Sequence, residues 1–294
     1  MTAAIDLTNI GKRYGATRAL DGLELSVAPG ELFGLVGVNG AGKTTTLSII
    51  MGFINASSGN ASVLGLDPWR DAAKLYSSIA WLPGDVRLPD ALSGLEWLEY
   101  QASVGNLDQG SIPALGSEWE VPLDRPMRTL SKGNRQKVAL IRLLIAKNAK
   151  LLVMDEPTSG LDPVAQERLL LTLRARAQAG ATVLFSSHSL AEVQSLCDRV
   201  AVIDRGKVLK IGTLDALTGD THSLHVWTHK PINESLLTPW KPHLISPTHA
   251  TLEGDRLLEE ALPKLMPFGI ERAEFGGMTL ERLLEQNHTR EVAQ

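Results

Sequence analysis

The chain has 294 residues, 44% of them hydrophobic and 21% charged, with a formal net charge of −4. This is an ordinary globular balance, with enough length for one sizeable core and a smaller unit. It argues against a nucleic-acid binder, which carries a basic excess, so no nucleic-acid partner is expected. Cys197 is the only cysteine, so an intrachain disulfide is excluded and a reducing compartment fits. It reads as a small half-buried hydrophobe. Residues 1–10 lack the basic-then-apolar pattern of a secretory leader. No run reaches the ~18 apolar residues a bilayer-crossing helix needs. Arg142 interrupts Val138–Ala146, and Arg168 and Arg174 bracket Leu169–Leu173, which reads as a buried helix face.

In chain order, Ile5–Ile10, Leu23–Val27 and Leu32–Val36 are short, apolar and partly β-branched, which predicts strands. A helix follows from Lys43 to about Met51. Further strands are predicted at Ile79–Leu82, Leu151–Met154, Thr182–Ser186 and Val200–Ile203. Helices are predicted between them at Gly133–Lys147, Pro163–Gln178 and Leu190–Leu196. Strands alternating with helices imply an α/β fold with a mainly parallel sheet covered on both faces.

Two segments break the rhythm. From Arg87 to Arg128, helical material (Leu92, Leu95, Trp97, Leu98, Tyr100) gives way to a turn-rich stretch through Gly105, Pro113, Gly116 and Pro122. This predicts an inserted helical subdomain over about 87–146. After Thr218-Gly219-Asp220 the segments shorten, with strands at Ser223–Thr228 and Ala250–Glu253. A helix is expected at Arg256–Met266, burying Leu257, Leu258, Leu262 and Leu265, and another at Met278–Leu284 capped by Thr279. The expected division is a core domain over 1–218 and a small α+β appendage over 219–294. The appendage offers no chemistry, which leaves a regulatory or dimer-supporting role. His222, His225 and His229 lack partners at metal-ligand spacing and read as solvated polar positions.

Gly37-Val38-Asn39-Gly40-Ala41-Gly42-Lys43-Thr44 fits the phosphate-loop pattern, between a strand and a helix as that pattern requires. Its glycines leave backbone N–H groups open to phosphate oxygens, and the helix start adds partial positive charge. Lys43 supplies a point charge, and the Thr44 hydroxyl is a Mg²⁺ ligand. Leu151-Leu152-Val153-Met154-Asp155-Glu156 places two acids at the end of a buried strand, where open α/β sheets bind ligands. Asp155 would hold the metal, and Glu156 would orient or deprotonate the attacking water. The fold expected is therefore a P-loop NTPase core acting on ATP with Mg²⁺.

Leu130-Ser131-Lys132-Gly133-Asn134-Arg135-Gln136-Lys137 resembles the signature motif of ABC transporter nucleotide-binding subunits. Asp155-Glu156-Pro157-Thr158-Ser159-Gly160-Leu161-Asp162-Pro163 looks like their acid motif and D-loop, and His188 matches their switch histidine. Tyr14 stands where the family stacks an aromatic on adenine. The resemblance implies that Thr45 and Gln136 join the loop in contacting nucleotide. It also implies a head-to-tail dimer, homo- or heteromeric, in which Ser131 and Gly133 of one subunit meet ATP bound to the other. His188 would then hydrogen-bond the γ-phosphate.

The implied function is the ATPase motor of an exporter, working with a membrane-spanning permease on a separate chain. The implied location is cytoplasmic, on the inner face of the membrane. A soluble ATPase acting on ribosomes or DNA is the alternative; the paired ATPase domains, long insertions or basic tails common in that class are absent. A non-hydrolysing regulatory subunit is disfavoured by the presence of Lys43, Asp155, Glu156 and His188 together.

Two departures stand out. Lys132 and Asn134 replace the signature's usual Gly and Gln. Gly84, in Ile79-Ala80-Trp81-Leu82-Pro83-Gly84, replaces a glutamine that links Mg²⁺ to the membrane partner, and Gln101 and Gln109 lie too far along to substitute. The aromatic content of Trp81, Trp97 and Tyr100 suggests that the face from Leu82 to Tyr100 receives a helix of the membrane subunit. The alternative is that these rings fill the inserted subdomain's own core.

Overall fold

Apolar residues at alternate positions of the first segments build an antiparallel sheet of β1 (Ile5–Tyr14), β2 (Thr17–Val27) and β4 (Ser58–Val63), in the order β2-β1-β4. The computed structural model describes residues 2–189, 192–193, 196–213, 216–217, 223–254 and 257–276. β1 and β2 pair from Ile5↔Val27 to Tyr14↔Thr17 and run well past the apolar cores that predicted them. The sequence Ser58-Gly-Asn-Ala-Ser-Val is mostly polar, so β4 left no strand signal.

The second sheet joins β3 (Leu32–Val36), β5 (Ile79–Leu82), β6 (Leu151–Asp155), β7 (Thr182–Ser187), β8 (Arg199–Asp204) and β9 (Lys207–Gly212). Its order is β5-β6-β7-β3-β8-β9. The four pairings from β5 through β8 are parallel. β3, β6 and β7 are buried at every position, as strands covered on both faces must be. One core joins the two sheets: Ile5, Leu25 and Val27 cluster with Phe33, Val153 and Ile203. β8 turns into the edge strand β9 through Arg205 and Gly206, both at positive φ (47° and 77°), the conformation that favours a hairpin. The Gly206 N–H donates to the Ala41 carbonyl (2.8 Å), and its own carbonyl accepts from Asp21 N (2.9 Å).

The helices of this part include α1 (Lys43–Ile50), α2 (Ala72–Leu75), α3 (Gly94–Gly105), α4 (Ile112–Glu118), α5 (Lys132–Leu144) and α6 (Pro163–Gln178). Ser93 and Glu96 form a reciprocal capping box at the start of α3 (3.1 and 2.8 Å). α4 corrects the turn-rich reading of its segment: Pro113 lies in the first turn, where its missing N–H costs nothing. The ring filling the core of the inserted region is Trp119, fully buried, whereas Tyr100 is 61% exposed. In α6, Leu169 and Leu173 are buried as expected of a helix face, but Leu171 points outward, 65% exposed.

The chain divides into two compact units, Met1–Ile211 and Gly212–Gln294. The second holds an antiparallel sheet of β10 (Ser223–Thr228), β11 (His243–Ser246), β12 (His249–Glu253) and β13 (Ile270–Gly276), ordered β11-β12-β10-β13. Leu224, Val226, Ala250 and Leu252 form one face, packed with Leu257 and Leu265. The continuous helix expected over 256–266 is instead a π-type turn at Leu257–Ala261, the short α7 (Leu262–Leu265) and a tight turn at Met266–Phe268. Pro263 and Pro267 supply no N–H to a longer ladder. His225 is not the solvated position expected: it is half-buried, its Nδ1 lies 3.2 Å from Thr251 Oγ1, and its ring stacks on Trp227. Residues 1, 190–191, 194–195, 214–215, 218–222, 255–256 and 277–294 lie outside the described residues. With them go much of the helix expected at Leu190–Leu196, the Thr218-Gly219-Asp220 boundary, His222, and the Met278–Leu284 helix with its cap Thr279.

Candidate nucleotide-binding site

β3 delivers the chain into the phosphate loop and α1 receives it. Gly37 N donates to Ser187 O (3.3 Å) and Ala41 N to Val38 O (3.1 Å), closing the loop. Gly42 sits at φ 110°, and a Cβ there would stand 2.8 Å from Leu20 Cδ2, so only glycine fits this exit. Val38, Asn39 and Gly40 are exposed at the loop's tip. The loop borders a cavity of about 170 Å³ walled by Asn39, Gly40, Lys43, Thr44, Thr45 and Glu156. Lys43 is folded back into the loop, donating to the carbonyls of Gly37 (2.7 Å) and Val38 (3.3 Å).

The acid pair stands opposite. Asp155 ends β6, nearly buried, and its Oδ2 accepts from Thr44 Oγ1 (2.7 Å) while its Oδ1 accepts from the Ser186 hydroxyl. Glu156 adopts φ 46°, unusual for a residue with a side chain, and its N–H donates to Ser186 Oγ (3.0 Å). That backbone turns the carboxylate between two bases, with Oε1 3.7 Å from Lys43 Nζ and Oε2 3.3 Å from His188 Nδ1. Ser186 therefore holds both acids. It lies two residues before His188, but no local pattern marks it as functional; its position on β7, next to β6 in the sheet, is what brings it there.

Ser131 is the N-cap of α5, its Oγ accepting from Asn134 N (3.2 Å). Gly133 leaves no room for a side chain, since a Cβ would lie 2.9 Å from Gly160 O. Gln136 is 6% exposed and donates to Pro157 O (3.3 Å), so it ties α5 to the segment after the acid pair rather than facing a ligand. Lys137 reinforces that tie by pairing with Asp162 (3.0 Å). The Ala165 N–H, which Asp162 caps, and the Lys137 ammonium hold the Asp162 carboxyl below its usual range. Tyr14 closes β1, half exposed, with Lys12 Nζ 5.1 Å from its ring centroid. It is not among the walls of the 170 Å³ cavity, to which the same hairpin contributes Ala19. A Cβ on Gly84 would lie 3.3 Å from Asp155 Oδ2, so the side chain absent there is one that would touch this carboxylate. Gln101 is elsewhere, accepting from Arg142 Nε (3.4 Å).

The sequence profile of the ABC transporter family matches residues 20–159. Over 240 residues the chain is 35% identical to the linearmycin resistance ATP-binding protein LnrL of Bacillus subtilis, an alignment spanning 78% of this chain and 76% of that one. The chain is an ABC transporter ATP-binding protein. It is also 35% identical over 218 residues to the Nod factor export ATP-binding protein I of Cupriavidus metallidurans, covering 72% of each. A solved ATP binding subunit of an ABC transporter superposes with a TM-score of 0.68 at 29% identity, covering 74% of this chain and 92% of that one. As an ABC ATPase, the chain binds and hydrolyses ATP. Among the described residues no helix is long and apolar enough to cross a membrane.

Proposed function

We propose that this ABC ATPase drives export through a separate membrane subunit, docked on the inner face of the membrane. The relatives named for linearmycin resistance and Nod factor export support that direction over ribosomal or DNA work. The observation that carries the motor reading is the Glu156 carboxylate set between Lys43 and His188 beside the Thr44–Asp155 pair.

ATP would enter along the exposed loop tip, and Lys43 would exchange the Gly37 and Val38 carbonyls for phosphate oxygens. Thr44 and Asp155 offer adjacent hard oxygen donors that suit Mg²⁺, which would supply positive charge to the β- and γ-phosphates. Glu156 would polarise the attacking water, and His188, already in reach of that carboxylate, would hold the γ-phosphate. Ser131 and Gly133, at the free N–H end of α5, would close the sandwich from the second subunit. Tyr14 would stack on the base. The Glu156→Gln chain tests this arrangement by sedimentation: a dimer with ATP and a monomer without it is the expected result. A species that ignores ATP would overturn the head-to-tail sandwich.

The membrane subunit's helix would sit in a groove of about 380 Å³ lined by Phe53, Trp81, Val86, Trp97 and Gln101, among others. The loop Pro83–Leu88 lines this groove and, through Gly84, abuts Asp155, so an occupant would feel changes at the metal corner.

A further inference from the structure

The groove is apolar but carries charge of a single sign. Its ionisable lining residues are Arg87, Arg142 and the neutral phenol of Tyr76; no carboxylate is among them. Arg87 is exposed and already neutralised by Asp85 (2.8 Å). Arg142 is different. It projects from α5 beneath Trp81, half-buried, and its five N–H donors meet two neutral oxygens, Trp81 O (3.3 Å) and Gln101 Oε1 (3.4 Å). Among the described residues no carboxylate pairs with it. Burial lowers its pKa from the usual arginine value; a guanidinium stays protonated in proteins, so the site keeps a poorly solvated cation.

A cation in that position favours one kind of occupant. An apolar helix with no acid would finish desolvating the guanidinium and leave it unpaired, which is strongly unfavourable. A helix carrying a carboxylate at the matching position gains a desolvated pair that also fixes its register. We propose that the membrane subunit's docking helix presents an aspartate or glutamate whose carboxylate pairs with Arg142. This rests on the reading of the groove as the docking site.

Two adducts on the purified complex with its membrane subunit separate the inference from that reading. Arg142→Lys keeps the cation and supplies an amine that a carbodiimide can couple to a carboxylate in contact. Val86→Cys reports occupancy of the groove through a short thiol-to-amine crosslinker. Circular dichroism and ATP turnover establish that each variant is folded. Should Arg142→Lys fail to fold, Gln101→Lys places an amine beside Arg142 in the same groove. Coupling from position 142 or 101 to one Asp or Glu of the membrane subunit, read by peptide mass, is the expected outcome. A Val86→Cys adduct with no carbodiimide product would overturn the acidic pairing and leave the docking site standing. Coupling to this chain's own carboxylates, or to a small amphiphile's, would overturn it equally. Absence of both adducts would remove the docking site and the pairing with it.

Discussion

Glu156 and Lys43 sit 3.7 Å apart yet should fail in different ways when changed. Glu156→Gln keeps the shape and the N–H to Ser186 but loses the group that polarises water. Phosphate release should slow by at least ~100-fold, the usual scale for removing an acid–base group, while ATP affinity holds. Lys43→Ala removes charge from the loop, so nucleotide titration should show weaker binding before turnover is measured. If the two variants behaved alike in binding, Lys43 would have no separate role at the phosphates. Asp162 adds a pH signature. Its folded-state pKa is lowered by the Ala165 N–H and by Lys137. Its contribution is therefore present above the unfolded carboxylate pKa and lost as pH falls through the folded one. Asp162→Asn still caps α6 but cannot titrate, so its melting temperature should fall less steeply in acid than that of the parent.

The two capped helices of the inserted region separate stability from function. Ser93→Ala and Ser131→Ala each remove an N-cap, and each should cost about 1 kcal/mol, a few degrees in melting temperature. Only Ser131→Ala should also weaken the ATP-induced dimer; equal effects on dimerisation would make Ser131 a cap alone. What the sequence disclosed at this level follows from the strength of its patterns. β3, β6 and β7 are continuous apolar runs because both their faces are covered, and the loop and acid pair could be read from their ends. β4, β9, β11 and β13 are all edge strands; β4 and β13 pair with β1 and β10, distant in sequence, while the short β9 and β11 are held by their hairpin neighbours, so their own residues marked none of the four as a strand. α4 was hidden by glycine and proline that its first turn and close packing accommodate. Ser186 and the burial of Gln136 depend on which strand or segment lies next to which, and that information is in the fold alone.

The division of the chain invites a test of autonomy. Compact packing changes hands at Ile211/Gly212, within the last residues of β9, whereas the composition shift lies at residues 218–220. A chain ending at residue 220 retains all of β9 and should fold, bind ATP and hydrolyse it, with circular dichroism and phosphate release as the measurements. A folded truncation that binds ATP without turnover would make the C-terminal unit part of the motor. The connection itself has a mechanical side. Gly206 turns β8 into β9 while its N–H holds Ala41 of the phosphate loop and its carbonyl holds Asp21 of β2. A side chain there would stand 2.6 Å from Ala19 O, so the turn is seated too tightly to slide. The polypeptide leaves the ATPase unit along β9, the strand that begins at that seat. That seat ties three pieces of chain together at one residue, the phosphate loop, β2 and the start of β9, so a bulkier residue at 206 would pry at all three at once.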